Sequence, residues 1–220
     1  ASDAACPSRR NFMPEAINIS LTTAVAFLLG SIPTGYLVAR AKGVDIRQHG
    51  SGNIGATNVF RTLGKPLGIL VFFLDALKGF AAVWLAARFG GPSAWPPILA
   101  AVAAIAGHNY TPWLGFKGGK GIATSAGVLI ALMPWAVLAI AVVWFGVFFA
   151  TRYVSLASIC ASAALPVAVG ALWFYGCGGS APLLAFSVLI AALAIWRHRS
   201  NIQRLMAGTE HRFDRKSTSR

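Results

Sequence analysis

The chain has 220 residues, 56% of them hydrophobic and only 11% charged, with a mean hydropathy of +0.65 and a net charge of +13. Soluble domains typically carry about 25% charged residues, so an ordinary water-soluble globule is excluded. Nucleic acid is excluded as the partner of the positive charge, because the Lys and Arg residues lie between membrane-length apolar segments and not on one soluble face.

Residues 1–16 read as a flexible tail, with Met13 a candidate natural start. Arg9-Arg10 ahead of an apolar run resembles a signal peptide. However, Ile17–Ala39 is too long for a signal's apolar core and lacks a small-x-small cleavage pattern at its end. Cys6, Cys160 and Cys177 show neither metal spacing nor a paired framework and read as inert.

A bilayer is crossed by about 20 apolar residues. The candidates, in chain order, are Ile17–Ala39, Pro66–Phe89, the shorter Ser93–Gly107, the long run Gly121–Ala150, Val154–Tyr175 and Pro182–Trp196. Pro134 lies near the middle of the long run and removes a helical hydrogen bond, so two short helices joined at Met133-Pro134-Trp135 are expected there. The expected fold is all-α and polytopic, with seven transmembrane helices, residues 17–210 forming one membrane domain and residues 211–220 a flexible basic tail. Charge supports the split. With seven spans every Lys and Arg falls on one side except Arg9, Arg10, Arg88 and the intramembrane Lys78, and the positive-inside rule makes that side cytoplasmic. The N-terminus is then outside and the C-terminus inside. No internal repeat is visible.

The polar motifs gather on the cytoplasmic side. The first, Gly50-Ser51-Gly52-Asn53-Ile54-Gly55-Ala56-Thr57-Asn58-Val59-Phe60-Arg61, formally matches a dinucleotide-binding G-x-G-x-x-G, with Asp75 further on. No apolar strand precedes it, and Asp75 sits inside a span, so that reading fails. Its glycines still let backbone N–H groups converge on an anion at a helix start, and Arg61 can clamp a phosphate. A plain interfacial turn is the alternative.

The second motif runs from Gly107 to Gly121 and contains His108, Asn109, Lys117, Gly118, Gly119 and Lys120. It lacks P-loop register, since Gly121 stands where Ser or Thr is needed, so nucleotide hydrolysis is not expected. Lys120, flanked by glycines, is suited to a phosphate oxygen, whereas Lys117 also reads as an anchor at the membrane surface.

The third motif is Arg197-His198-Arg199-Ser200-Asn201-Ile202-Gln203-Arg204, followed by Glu210; on a helix His198, Asn201 and Arg204 share part of one face. A basic helix end resting on anionic lipid explains the arginines but not His198, Asn201 or Glu210. Asp75 and Lys78, three apart inside a span, can pair; such groups are costly there and serve either function or bracing. Ser155 and Ser158 stand near a helix start after Arg152; capping or ordinary helix packing is the alternative to a functional role and weighs at least as much for Ser155.

Taken together these segments resemble one family, the bacterial acyl-phosphate-dependent glycerol-3-phosphate acyltransferases of phospholipid biosynthesis. The resemblance lies in GSIPTGYL (Gly30–Leu37), GSGNIGATNVFRTLG (Gly50–Gly64), DALKG (Asp75–Gly79), GHNYTPWLGFKGGKG (Gly107–Gly121), RYVSLAS (Arg152–Ser158) and RHRSNIQRLMAGTE (Arg197–Glu210). It implies transfer of a fatty acyl group from acyl phosphate to the 1-hydroxyl of glycerol 3-phosphate, giving lysophosphatidic acid and phosphate. It also implies an inner-membrane enzyme with a cytoplasmic site, no metal, no cofactor and no acyl-CoA.

The expected catalytic residues are Ser51, Lys120, His198 and Asn201. The expected substrate-binding residues are Gly50, Gly52, Asn53, Gly55, Asn58, Arg61, His108, Asn109, Lys117, Gly118, Gly119, Gly121, Ser158, Arg204 and Glu210, with Asp75 and Lys78 in support. The expected partners are the two substrates and membrane lipid; oligomeric state is open. His198, His108 or a substrate phosphate could take the hydroxyl proton. The rival from another class, a transporter of phosphate compounds, predicts inverted repeats and polar residues along several helix faces.

Overall fold

A computed structural model describes residues 14–213, and every regular element among them is helical. The calls on Cys6, Arg9, Arg10 and Met13 lie outside the described residues. The helices are α1 (Glu15–Ser31), α2 (Thr34–Arg40), α3 (Ala56–Leu63), α4 (Lys65–Phe89), α5 (Trp95–Asn109), α6 (Ile122–Leu132), α7 (Pro134–Thr151), α8 (Val154–Phe174), α9 (Ala181–Arg197) and α10 (Arg199–Met206). Helix α1 begins inside the stretch expected as tail.

Among the described residues four stretches are long and apolar enough to cross a membrane: Glu15–Arg40, α4, α7 and α8. A fifth is added if α9 and α10, bent by 55° at His198, count as one span. Helices α5 and α6, with 15 and 11 residues, are shorter. The long apolar run divides where Pro134 requires: Met133 leaves helical geometry at φ −152°, ψ 70° and separates α6 from α7.

The first span departs from the expected continuous helix. It breaks at Ile32-Pro33, because a proline nitrogen cannot continue the helical ladder. Two side chains satisfy the carbonyls at the break. Thr111 donates to the Ser31 carbonyl at 2.6 Å, and the Lys78 ammonium donates to the Ile32 carbonyl at 2.7 Å. Lipid offers no substitute partners, so such capping is obligatory at membrane depth.

Packing falls into three parts. Small residues, among them Ala26, Ala82, Ala100 and Ala104, let α1, α4 and α5 approach closely. Larger apolar side chains, including Val83, Ile105, Val128, Leu165 and Phe186, join α4, α5 and α6 to α8 and α9. A third cluster of Ala39, Ile46, Ile54, Val59 and Val71 seats the first polar loop on α2 and α4. Between α4 and α6 the contact is backbone against backbone, and a Cβ on Gly127 would overlap the Ala76 carbonyl.

Gly127→Leu is therefore expected to lower the thermal midpoint in detergent, with an overpacking cost of about 1–3 kcal/mol. Gly146→Ala, whose new Cβ meets nothing within 4 Å beyond its own stretch of helix, should not lower the midpoint. Equal midpoints for the two variants would contradict this helix contact.

Candidate active site

The first polar loop is shaped by one buried side chain. Asn58 accepts from the Ser51 N–H at 3.0 Å and donates to the carbonyls of Ile46, His49 and Asn53 at 3.2, 3.0 and 2.8 Å. Its polar atoms are thus committed to the loop, so Asn58, expected to touch substrate, serves as the loop's scaffold. Gly50 and Gly52 adopt left-handed backbone at φ 57° and 68°, which bends Ser51 and Asn53 toward the start of α3. Asn53 accepts from the Gly55 N–H at 2.8 Å, and the unpaired first amides of α3 follow directly.

The second loop lies flat on the end of α5. The Gly118 and Gly119 amides donate to the carbonyls of Asn109 and His108 at 3.2 and 3.0 Å. A Cβ on Gly119 would strike the His108 ring, and one on Gly121 the Asn109 side chain, which explains the glycines flanking Lys120. Arg197 holds the loop from the other side, with Nη2 donating to the Gly118 and Gly119 carbonyls at 3.1 and 2.6 Å. Asn109 is fully buried behind the loop, its amide group without a partner.

Lys120 is delivered into a hydrogen-bonded chain. Its ammonium donates to Asn201 Oδ1 at 2.5 Å, and Asn201 Nδ2 donates to Glu210 Oε1 at 2.7 Å. Glu210 also accepts from Ser155 at 2.8 Å and from Arg204 Nε at 2.7 Å. Burial pushes the Glu210 carboxyl up, but the donors Asn201, Ser155 and Arg204 outweigh it and hold the group below its ordinary value. Burial lowers the Lys120 pKa to about 8; Glu210 opposes this, while Arg204, Arg61 and Arg197 reinforce it. A dianionic ligand entering here would therefore relieve a local excess of positive charge.

Two histidines border the same space in opposite tautomers. Lys78, as an ammonium, can only donate, so its 3.0 Å contact with His108 Nδ1 leaves the His108 proton on Nε2. His198 Nδ1 faces the Ala194 carbonyl at 2.8 Å and must carry the proton, which leaves Nε2 an acceptor. Burial outweighs that carbonyl and lowers the His198 pKa to about 4, so the ring is neutral at pH 7.

These groups share one cleft of about 650 Å³. Ser51, Asn53, Gly55, Asn58, Arg61, Asp75, His108, Lys120, Gly121, Ser158, His198, Asn201 and Glu210, all anticipated from sequence, line it. Gly50, Gly52, Asn109, Gly118, Gly119, Lys78 and Arg204 are not among the lining residues; Arg204 and Lys78 touch the lining through Glu210 and Asp75, and the others flank or back the two polar loops. Lys117, also expected to bind substrate, is exposed and is not among the residues lining the cleft. Most of the rest of the lining is apolar, chiefly Ile69, Phe72 and Phe73 from α4 and Trp144, Phe145 and Phe148 from α7, with Thr57 and Ser155 the polar exceptions. Trp144 donates to Ser158 at 3.2 Å, which locks the serine against α7.

Sequence reading missed Arg197 and Phe213 as parts of the site. Arg197 looked like any basic residue at a helix end, and Phe213 stood in the expected tail. In the structure Phe213 packs against Phe60 and Phe148 and lines the cleft.

Comparison with known proteins gives the same picture. The sequence model of the family Glycerol-3-phosphate acyltransferase matches residues 20–208. The chain is 50% identical to the glycerol-3-phosphate acyltransferase of Geobacter sulfurreducens over 198 residues, covering 90% of this chain and 98% of that one. It is 48% identical to the corresponding protein of Aquifex aeolicus, covering 86% and 95%. Among solved structures it resembles PlsY (YgiH), an integral membrane glycerol 3-phosphate acyltransferase, at 47% identity. The glycerol 3-phosphate form gives a TM-score of 0.81, covering 89% of this chain and 96% of that one. The lysophosphatidic acid form gives 0.79, covering 89% and 95%. A likeness that extends through both sequence and fold over nearly the whole length shows that the chain belongs to the glycerol-3-phosphate acyltransferase family.

Proposed function

We propose that this chain transfers a fatty acyl group from acyl phosphate to the 1-hydroxyl of sn-glycerol 3-phosphate, releasing lysophosphatidic acid and phosphate. The observation that carries the reading is the division of one cleft's lining between cationic and amide-bearing groups, Lys120, Arg61 and the Ser51 loop, and aromatic side chains from α4 and α7. An acyl phosphate has the same division, a dianionic head on an apolar tail. The acceptor brings a second phosphate to the same cationic groups.

The membrane arrangement that suits this chemistry is the seven-span one, with the cleft's polar end at the cytoplasmic face of the bacterial plasma membrane. The short helices α5 and α6 then count as crossings, and the concentration of Lys and Arg on the site's side supports that orientation. A transporter of phosphate compounds predicts inverted repeats, and no internal repeat is visible in the sequence.

In the reaction the glycerol hydroxyl oxygen attacks the carbonyl carbon, the carbon–oxygen bond to phosphate breaks, and the hydroxyl proton leaves with the phosphate. Phosphate is a good leaving group from a mixed anhydride, so positioning and electrostatic stabilisation of the tetrahedral oxyanion supply the acceleration. His108, with its proton on Nε2, can donate but not accept. His198 presents an acceptor nitrogen, yet a pKa of about 4 makes it a weak base at neutral pH. A substrate phosphate, with a second pKa of about 6, is better matched to take the proton. The protein's part is to orient: Lys120 and Arg61 on phosphate oxygens, with Asn201 and Glu210 holding Lys120 in place.

Incubating the purified protein with palmitoyl phosphate and glycerol 3-phosphate should yield lysophosphatidic acid and phosphate in nearly equal amounts, with only a small excess of phosphate from hydrolysis. A folded protein that yields neither would reject the reading. Lys120→Ala should lower kcat/KM at least ten-fold, about 1.4 kcal/mol of transition-state binding; a rate near wild type would remove Lys120 from the site. Because burial depresses the Lys120 pKa to about 8, the free enzyme loses this cation as pH rises through that value, well before an ordinary lysine would. The kcat/KM profile should therefore fall above pH ~8, and Lys120→Arg, charged throughout, should abolish that fall. A wild-type profile flat across this range would show that the ammonium is not required.

A further inference from the structure

The segment after Glu210 is fastened to both sides of the cleft. On one side Arg61 of α3 donates through Nη2 to the His211 carbonyl at 3.2 Å. On the other, the Phe213 N–H donates to the Arg152 carbonyl at 2.8 Å. Arg152 ends α7 in left-handed backbone, φ 63°, an uncommon conformation for a residue with a side chain. Between these anchors the half-buried Phe213 ring lies 4.8 Å from the Phe60 ring and 5.8 Å from the Phe148 ring, centroid to centroid. The Arg61 guanidinium stands 5.9 Å from the same ring. Phe213 lies beyond the residues matched by the family's sequence model, which ends at 208.

The position along the cleft is informative. Phe213 touches Phe60 and Arg61's side of the polar end, and through Phe148 it joins the aromatic lining of α7. In an acyl phosphate the reacting carbonyl is the atom group that links head to tail. If the head sits among the cations and the tail among the aromatic rings, the carbonyl lies at this junction. An apolar ring there removes room for water beside the electrophile. It leaves the polar end open to the acceptor hydroxyl, which is steered by its own phosphate.

The geometry points to Phe213 as a positioning residue that covers the junction of acyl chain and phosphate and keeps water from competing with the glycerol hydroxyl. This rests on the acyl-phosphate reading above. The competing step is hydrolysis: a water oxygen attacks the carbonyl carbon, the bond to phosphate breaks, and fatty acid and phosphate leave with the water's protons shared between them. Both reactions release one phosphate per acyl group, but only transfer makes lysophosphatidic acid. Exclusion of water from a reactive centre is a recognised means of suppressing such side reactions.

The test is the ratio of phosphate released to lysophosphatidic acid formed, measured with palmitoyl phosphate and glycerol 3-phosphate on wild type, Phe213→Leu, Phe213→Val and Phe213→Ala. The excess of phosphate should grow as the side chain shrinks and reach about ten-fold over wild type in the alanine variant, a shift of about 1.4 kcal/mol between the competing barriers. Leucine, which retains most of the apolar cover, should stay near wild type. Slower turnover with an unchanged ratio across the folded variants would reduce Phe213 to a structural residue and overturn the proposal. The series keeps the test decisive should the alanine variant alone fail to fold. Wild-type protein that forms no lysophosphatidic acid would instead overturn the acyl-phosphate reading itself.

Discussion

One buried cation sets where everything else sits. Lys78 lies almost entirely out of solvent and reaches three helices: the Ile32 carbonyl at the break between α1 and α2, Asp75 Oδ1 on its own helix at 2.8 Å, and His108 Nδ1 on α5 at 3.0 Å. Thr34, at the start of α2, donates to the same carboxylate. A charge inside a membrane protein must be paired, and removing one partner of a buried pair typically costs about 3–5 kcal/mol. The importance of the arrangement is positional. It fixes the point at which the first span breaks, and it fixes the ring of His108, whose backbone carbonyl receives the Gly119 amide. The brace is therefore continuous with the second loop.

From that anchor the two polar loops are built by opposite means. The first is held from within by Asn58, a single amide group that satisfies four backbone partners. The second has no such internal support and is pressed between two surfaces, the end of α5 beneath it and Arg197 above. Arg197 reaches the loop because α9 ends where it does: the bend at His198 turns α10 aside and brings Asn201 toward Lys120. A neutral side chain at 197 could not serve in the same way. Hydrogen bonds from a charged donor are worth about 1.5–3 kcal/mol, and two carbonyls take theirs from one guanidinium nitrogen.

The parts legible in the sequence were those set by local chemistry. Pro134 announced the division of the long apolar run, since a missing N–H acts wherever the chain is helical. The glycines around Ser51 and Lys120 announced close backbone approach. Pro33 carried the same signal as Pro134 but stood in a run of ordinary span length, and membrane helices accommodate proline when neighbours supply partners. Pro33 permits a break, and Lys78 and Thr111, far away in sequence, satisfy the carbonyls that it frees. Asn58 looked like a ligand contact because a sequence cannot tell an amide turned toward substrate from one turned toward its own loop. Phe213 was hidden for a related reason: a basic stretch near the end of a chain reads as solvated unless the Arg61 and Arg152 contacts that tether it are known.

The histidines show what the assembled structure adds to residue identity. Both were candidates for the proton acceptor, and identity alone left them equivalent. Their second nitrogens separate them. His108 Nδ1 faces an ammonium and must accept, so its other nitrogen donates; His198 Nδ1 faces a carbonyl and must donate, so its other nitrogen accepts. The groups that decide this, Lys78 and the Ala194 carbonyl, lie on the helices and not in the polar loops. With His198 neutral at pH 7, the positive charge at the polar end comes from Lys120, Arg61 and Arg204, balanced in part by Glu210. A cleft of this kind attracts phosphate strongly and moves protons poorly. Under the acyl-phosphate reading that combination is sufficient, because the bond to be broken already ends in a stable anion, and the phosphate groups drawn in by the cations bring a basic oxygen with them.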